Sequence, residues 1–309
     1  MANILMLYHF SPPTTANYLA RAFRAEGHDV RTSGTMASIQ GFKTPYRLWG
    51  PHTYPLGEHE TLDMGRLGDW KPDLILWVES GGARSAMIDV LETNIPTAGY
   101  FIDSHNPDKL AWNKRFAPLF DYRFEAMRPW CDELDAEWLP LACDPEIHTP
   151  RVYSEEYDLA WVGGPWGASP LYKRRFEAMA RLQQRYRCNF VSGVYFEDMA
   201  DVYGSAKIGW HMSVTGGDLD MRVFEVMCSG RPLVTDRAKD SGLFEIFGFR
   251  PDCAFYWEDM DGSMEQEIQH LLDNRDWRES LGATGRRTVL AAHTYQHRAR
   301  QLLQAVGLE

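Results

Sequence analysis

Two side chains with evident chemistry lie three residues apart in the stretch Asp218–Asp236, DLDMRVFEVMCSGRPLVTD: the guanidinium of Arg222 and the carboxyl of Glu225. Met221, Phe224, Met227 and Cys228 recur at helical spacing, so the stretch predicts a short amphipathic helix with Arg222 and Glu225 together on another face, looking outward near its start. A guanidinium there suits a diphosphate, and a carboxylate, with two acceptor oxygens, suits vicinal sugar hydroxyls. On spacing alone an ordinary surface ion pair, worth roughly 0.2–0.5 kcal/mol, is the favoured reading. Ser229-Gly230 is a helix stop, and Pro232–Thr235 then predicts a strand entering a parallel sheet. Ligands in open α/β sheets bind at strand carboxyl ends, where helix N-termini offer unpaired N–H groups to phosphate.

The elements that would position these groups follow from periodicity. Strands are expected at residues 3–10, 28–31, 73–78 and 96–102, with helices at 17–26 and 83–91, which makes a β-α-β opening and a doubly wound parallel sheet. Residues 33–68 show little periodicity and are expected to cover a site or cap an edge. Pro, Asp and Thr gather near 139–157 as a linker, giving domains 1–148 and 149–309. The second series runs through strands at 159–162, 188–191, 207–212, 232–235 and 253–257. Its helices are expected at 171–186, 196–203, the signature segment, 264–272, 277–290 and 296–306, the last with the option of packing back on the N-terminal domain.

Composition bounds the function. A chain of 309 residues with 44% hydrophobic and 13% aromatic content suits two globular domains. Its five widely spaced cysteines contain no C-x-x-C pair, so neither a disulfide framework nor a zinc site is signalled. A net charge of −11 disfavours a large nonspecific nucleic-acid surface. The tightest basic clusters, Lys173-Arg174-Arg175 and Arg286-Arg287, are expected to be solvated helix faces. With no apolar span of membrane length and no basic leader, the chain is expected to be cytoplasmic.

RVFEVMCSGRPLVTD resembles the C-terminal signature of GT-B glycosyltransferases, and most closely the spore-maturation CgeB-type branch. DLAWVGGPWGASPLYKRRFEAM looks like that family's opening strand, glycine turn and Tyr-x-x-Arg helix. AEWLPLACDPEIHTP looks like its interdomain segment, and HTYQHRARQLL like its closing helix. The likeness runs over about residues 136–303. It implies an α/β GT-B fold, two Rossmann-like domains facing across a cleft, and transfer of a sugar from a nucleotide diphosphate donor to an acceptor hydroxyl without metal or other cofactor.

The resemblance also implies roles. Glu225 would accept from the donor ribose and Arg222 would hold the diphosphate beside Gly163 and Gly164. Gly193, Val194 and Tyr195 lie where such proteins hold the base, and His211 ends the strand before the signature loop. Retaining members often carry E-x7-E, but the first position here is Gly217, so stereochemistry stays open. Asp218-Leu219-Asp220 and Asp259-Met260-Asp261 are D-x-D triplets, the metal signature of a different glycosyltransferase fold; Asp220 suits a helix N-cap better, and no metal is expected.

The N-terminal domain would bind the acceptor, whether glycan, protein or small molecule, with modified DNA also open. His9, Glu79, Asp103 and His105 all fall at predicted strand ends on one face, the place for a catalytic base. Asp103 and His105 lead this group because a carboxylate–histidine pair can share a proton transfer. Two alternatives share the donor chemistry: a nucleotide-sugar 2-epimerase, and a non-catalytic sugar-nucleotide or glycan-binding protein.

Overall fold

A computed structural model describes residues 1–11, 14–35, 52–57, 60–78, 93–151, 154–164, 170–247, 255–257 and 262–309. The chain forms two compact units, residues 1–140 with 295–309, and residues 141–294. The division falls at Pro140/Leu141, ahead of the expected 148/149. Leu141, Ala142 and Cys143 are buried, and Cys143 bridges to Thr294, so the second unit already begins near the start of the Pro-rich stretch at 139–157.

The first unit holds a parallel sheet in the order β3-β2-β1-β4-β5-β6-β7. Its strands are β1 (Asn3–Leu7), β2 (Asp29–Thr35), β3 (Thr53–Leu56), β4 (Leu74–Val78), β5 (Thr97–Phe101), β6 (Tyr122–Glu125) and β7 (Glu137–Trp138). Every residue of β4, LILWV, and of β5, TAGYF, is buried, the continuous apolar run of a parallel strand covered on both faces. Leu5, Leu7, Ile75, Trp77, Phe101 and Phe120 build one side of this core. Helix α1 (Thr15–Ala25) starts where Thr14 accepts from Ala16 N.

Five elements in this unit were illegible in the periodicity. Residues 33–68, expected to cover a site or cap an edge, contain β3, the edge strand paired with β2; a four-residue strand is too short to show alternation. Helix α2 (Pro107–Phe116) buries only Asn113 and so has no apolar stripe; its readable sign is local, an Asn106 cap on the N–H groups of Asp108 and Lys109 followed by Pro107. Strands β6 and β7, with α3 (Cys131–Leu134) between them, complete the edge. The helix expected at 83–91 lies outside the described residues.

The second unit holds a parallel sheet in the order β12-β11-β10-β8-β9. The strands are β8 (Tyr157–Val162), β9 (Cys188–Val191), β10 (Ala206–Trp210), β11 (Leu233–Asp236) and β12 (Phe255–Trp257). Helices α4 (Lys173–Gln183), α5 (Glu197–Gly204), α6 (Met221–Cys228), α7 (Leu243–Phe247), α8 (Ser263–Asp273) and α9 (Arg275–Ala292) accompany them. Helix α6 is pressed between two glycine contacts. A Cβ on Gly209 of β10 would lie 2.2 Å from Val226 Cγ1, and one on Gly282 of α9 would lie 2.3 Å from the Gly230 carbonyl oxygen.

Helix α10 (Tyr295–Ala305) packs in the first unit against α1. Tyr295 stacks on Tyr18 with centroids 5.2 Å apart, buried Arg298 donates Nε–H to the Pro140 carbonyl at 2.6 Å, and Arg300 forks onto Glu26. Among the described residues, no helix is long and apolar enough to cross a membrane.

Candidate active site

The carboxyl ends of β8, β10 and β11 gather most of the second unit's buried polar groups, and α6 is the element that aims them. Asp220 caps the helix, its Oδ1 accepting from Arg222 N at 2.9 Å. Its other oxygen, Oδ2, meets Arg175 Nη2 at 3.3 Å and Arg222 Nη1 at 3.6 Å, with His211 Nε2 3.1 Å away but not aligned as a hydrogen bond. Burial acts to raise the Asp220 pKa, but His211, Arg222 and Arg175 outweigh it and hold the carboxyl well below the usual range. His211 is itself fixed through Nδ1 to Thr235 Oγ1 at 2.8 Å.

Arg222 is partly exposed and turns toward the end of β8, where Nε–H donates to the Val162 carbonyl at 3.0 Å. This places the guanidinium beside Gly163 and Gly164. Gly163 has no room for a side chain, since a Cβ would lie 2.1 Å from the Trp161 ring, and its N–H is held by Val191 O. Gly193, at φ 72°, turns the chain after β9 into Val194 and Tyr195. Burial raises the Tyr195 phenol, and the Arg222 charge acts against that shift.

Glu225 departs from the expected geometry. It does not look outward beside Arg222: it is 1% exposed, and neither carboxylate oxygen has a hydrogen-bond partner. Distance from the apolar stripe predicts an outward side chain, whereas α6 is covered nearly all round and buries every residue from Val223 to Cys228. Burial pushes the Glu225 pKa up to about 7, with Arg222 lowering it and Asp220 raising it further. His148 Nε2 lies 3.6 Å from Glu225 Oε1.

The two carboxylates of the first D-x-D triplet serve different partners. Asp218 is buried and accepts from the N–H groups of Val214 and Thr215 and from the Thr215 hydroxyl, which makes it the internal tie of the β10–α6 loop. Asp259-Met260-Asp261 lies outside the described residues.

Several groups here escaped the sequence reading. Arg175, grouped with a solvated basic cluster, is instead buried and donates Nε–H to Met212 O at 2.7 Å while meeting Asp220. Its Tyr-x-x-Arg spacing was the available signal. Arg286, likewise expected on a solvated face, reaches the Cys228 carbonyl. Asp236 accepts from Ser213 N and Ser213 Oγ and lies 3.8 Å from Arg174 Nη1, so it anchors the other side of the loop.

In the first unit, His9 follows β1 and Asp103 and His105 follow β5, so all three fall at the carboxyl edge of the sheet. His9 is half-buried against Thr35 Oγ1 at 2.9 Å, and burial lowers its pKa. Asp103 sits at φ 61° and pairs with Lys109 at 3.0 Å, whereas buried His105 places Nδ1 3.2 Å from Met127 Sδ. The Asp103–His105 partnership is therefore absent; the left-handed turn at Asp103 sends its carboxylate to the following helix instead. Glu79 lies outside the described residues. A buried carboxylate that the sequence reading missed, Glu125, ends β6 and accepts from Ser104 Oγ and Met127 N.

Residues 151–304 match the sequence profile of a family described as glycosyl transferase-like. The fold is shared with solved structures over nearly the full length of both chains. Sucrose-phosphate synthase from Thermosynechococcus elongatus aligns with a TM-score of 0.65 and 14% identity, over 99% of this chain and 98% of that one. HepE from Anabaena, solved with UDP and glucose, gives 0.70 and 11% over 99% and 100%. An alpha-glucosyltransferase in complex with UDP-glucose and DNA containing an abasic site gives 0.70 and 10% over 99% of each chain. The chain is a GT-B glycosyltransferase. No curated protein matches it in sequence. In this glycosyltransferase the matched segment includes almost the whole second unit, and with it all of α6 and the glycine turn after β8.

Proposed function

We propose that this glycosyltransferase takes its sugar from a nucleotide diphosphate donor held at the carboxyl edge of the second sheet, in the manner of the CgeB-type branch. The observation that carries this reading is Glu225, whose two buried oxygens have no hydrogen-bond partner. Leaving a buried polar group unsatisfied costs about 1–3 kcal/mol, so native structures rarely keep one without a use. A vicinal diol supplies two O–H donors, which two carboxylate oxygens accept.

The rest of the site fits the same ligand. Arg222, tethered to Val162 O, offers charge-assisted hydrogen bonds to a diphosphate, and Gly163-Gly164 lets backbone come near it. As the glycosidic bond breaks, negative charge develops on the leaving diphosphate, and a fixed guanidinium stabilises it without reorganising. With that cation in place, transfer proceeds without a metal ion. Gly193, Val194 and Tyr195 receive the base, and His211 acts indirectly, through Asp220. In the first unit, a base drawn from His9, Glu79, Asp103 and His105 accepts the proton of the attacking hydroxyl. The acceptor is a glycan, protein or small molecule; the chain's net charge of −11 argues against DNA.

UDP and UDP-glucose are the first probes, because HepE and the DNA-bound alpha-glucosyltransferase were solved with them. The parent protein should be stabilised against heat by UDP in proportion to the logarithm of its concentration, and Glu225→Ala should weaken binding at least tenfold. Equal UDP affinity in parent and variant would remove Glu225 from the donor site.

A further inference from the structure

One group packed against Glu225 is unexplained by donor contact alone. His148 lies in the segment that opens the second unit, is 1% exposed, and accepts a hydrogen bond at Nδ1 from the Asp144 N–H at 3.1 Å. A ring nitrogen that accepts carries no proton, so the proton sits on Nε2, the atom aimed at Glu225 Oε1 across 3.6 Å. That distance is longer than a hydrogen bond, and a small turn of the glutamate χ angles closes it. Burial keeps the imidazole neutral, lowering its pKa to about 4, so His148 is a fixed N–H donor rather than a counter-ion.

We infer that His148 is a positioning residue for the donor site: its Nε2–H takes one lone pair of Glu225 Oε1, holding the carboxylate in the rotamer that meets the donor's ribose hydroxyls. This rests on the donor-site reading above. A donor hydrogen bond favours the charged form of a carboxyl, so His148 also sets where Glu225 titrates. The other groups acting on Glu225 or on its surroundings are Arg222 and Asp220 from its own helix end, Tyr203 from α5, and Cys143 from the His148 segment. From α9, Arg286 is engaged by Cys228. Of these, His148 is the group whose N–H points at a Glu225 oxygen while its ring is locked from behind.

The test uses the full chain with His148→Phe, which keeps the bulk and removes the donor, and His148→Gln, which keeps an N–H. Two quantities are read. The first is UDP affinity from pH 6 to 9; the ligand's own phosphate titration is common to all variants and cancels in their comparison. The second is the Glu225 carboxyl titration in the ligand-free protein, followed by carbon NMR with labelled glutamate and assigned by its absence in Glu225→Gln.

His148→Phe should move the Glu225 titration upward and weaken UDP about tenfold at pH 7 but less than threefold at pH 9, with His148→Gln in between. Combined with Glu225→Gln, it should cost nothing further. An unmoved Glu225 titration, or a UDP loss equal at every pH, overturns the role. If the parent binds no UDP while the titration still moves, the donor-site reading fails and the positioning of Glu225 by His148 stands.

Discussion

At the scale of single residues, the second unit treats two carboxylates of one helix in opposite ways. Asp220 is held ionised by the guanidinium groups of Arg175 and Arg222 with the His211 ring beside them, whereas Glu225, five residues on, is buried with its oxygens unmet and titrates near 7. The raised pKa fixes the sign of a stability effect. Between the ordinary 4.5 and about 7, the folded protein binds more protons at Glu225 than the unfolded chain, so stability is full at low pH and is lost as pH rises through this window. The loss is on the order of 3 kcal/mol, taking 1.36 kcal/mol per pH unit. Glu225→Gln should therefore stabilise the ligand-free protein by roughly 1–3 kcal/mol at pH 8 and by much less at pH 5, while losing donor affinity. Urea unfolding at the two pH values checks this; an equal effect at both would refute the assignment. That Arg222 and Glu225 share one short helix was legible in the sequence, but the burial of Glu225, which keeps the two from pairing on the surface, was not. Periodicity identifies the most apolar side of a helix and cannot say that a sheet, another helix and the His148 segment cover the other sides as well.

Among elements, the central one is α6, whose place is dictated by what its neighbours lack. Gly209 lets the helix settle on β10, and Gly282 lets α9 close over the turn at Gly230. Gly282→Ala would drive a methyl against backbone atoms, which cannot rotate away, so it should destabilise the fold by about 1–3 kcal/mol and lower UDP affinity as α6 shifts. Gly209→Ala meets a Val226 side chain instead and should cost less. Thermal unfolding with and without UDP compares the two; equal losses would mean that the side chain yields no better than the backbone. Two elements of this unit were legible from local signals: the half-buried strand Cys188–Val191 follows from its apolar run, and Met221–Cys228 from its apolar stripe, the Asp220 cap and the Gly230 stop. In the first unit α2, β6 and β7 escaped because their stability comes from tertiary contacts, not from a stripe of their own. Asn113, for instance, is buried to serve Ser104, which serves Glu125.

For the molecule as a whole, the fold was legible through the resemblance read over about residues 136–303, most of which lies inside the matched profile at 151–304. The first unit carries no comparable motif, so its role rests on where His9, Asp103 and His105 fall along one sheet edge. Its composition is also discontinuous in the chain: residues 1–140 are joined by 295–309, with α10 supplying the partner of Tyr18 and the buried guanidinium that satisfies Pro140 O. This has a consequence for synthesis on the ribosome. Domains usually fold in the order in which they are made. Here residues 1–140 are left without α10 until residues 295–309 emerge, while residues 141–294 between them are already complete in sequence. Chains arrested after Thr294 should therefore resist protease within 141–294 while remaining cleavable within 1–140, and a separately supplied peptide of residues 295–309 should restore protection. If the arrested chain is equally protected throughout, α10 is an ornament on an already finished unit; if not, the unit begun first is completed only after the unit inserted within it has been made.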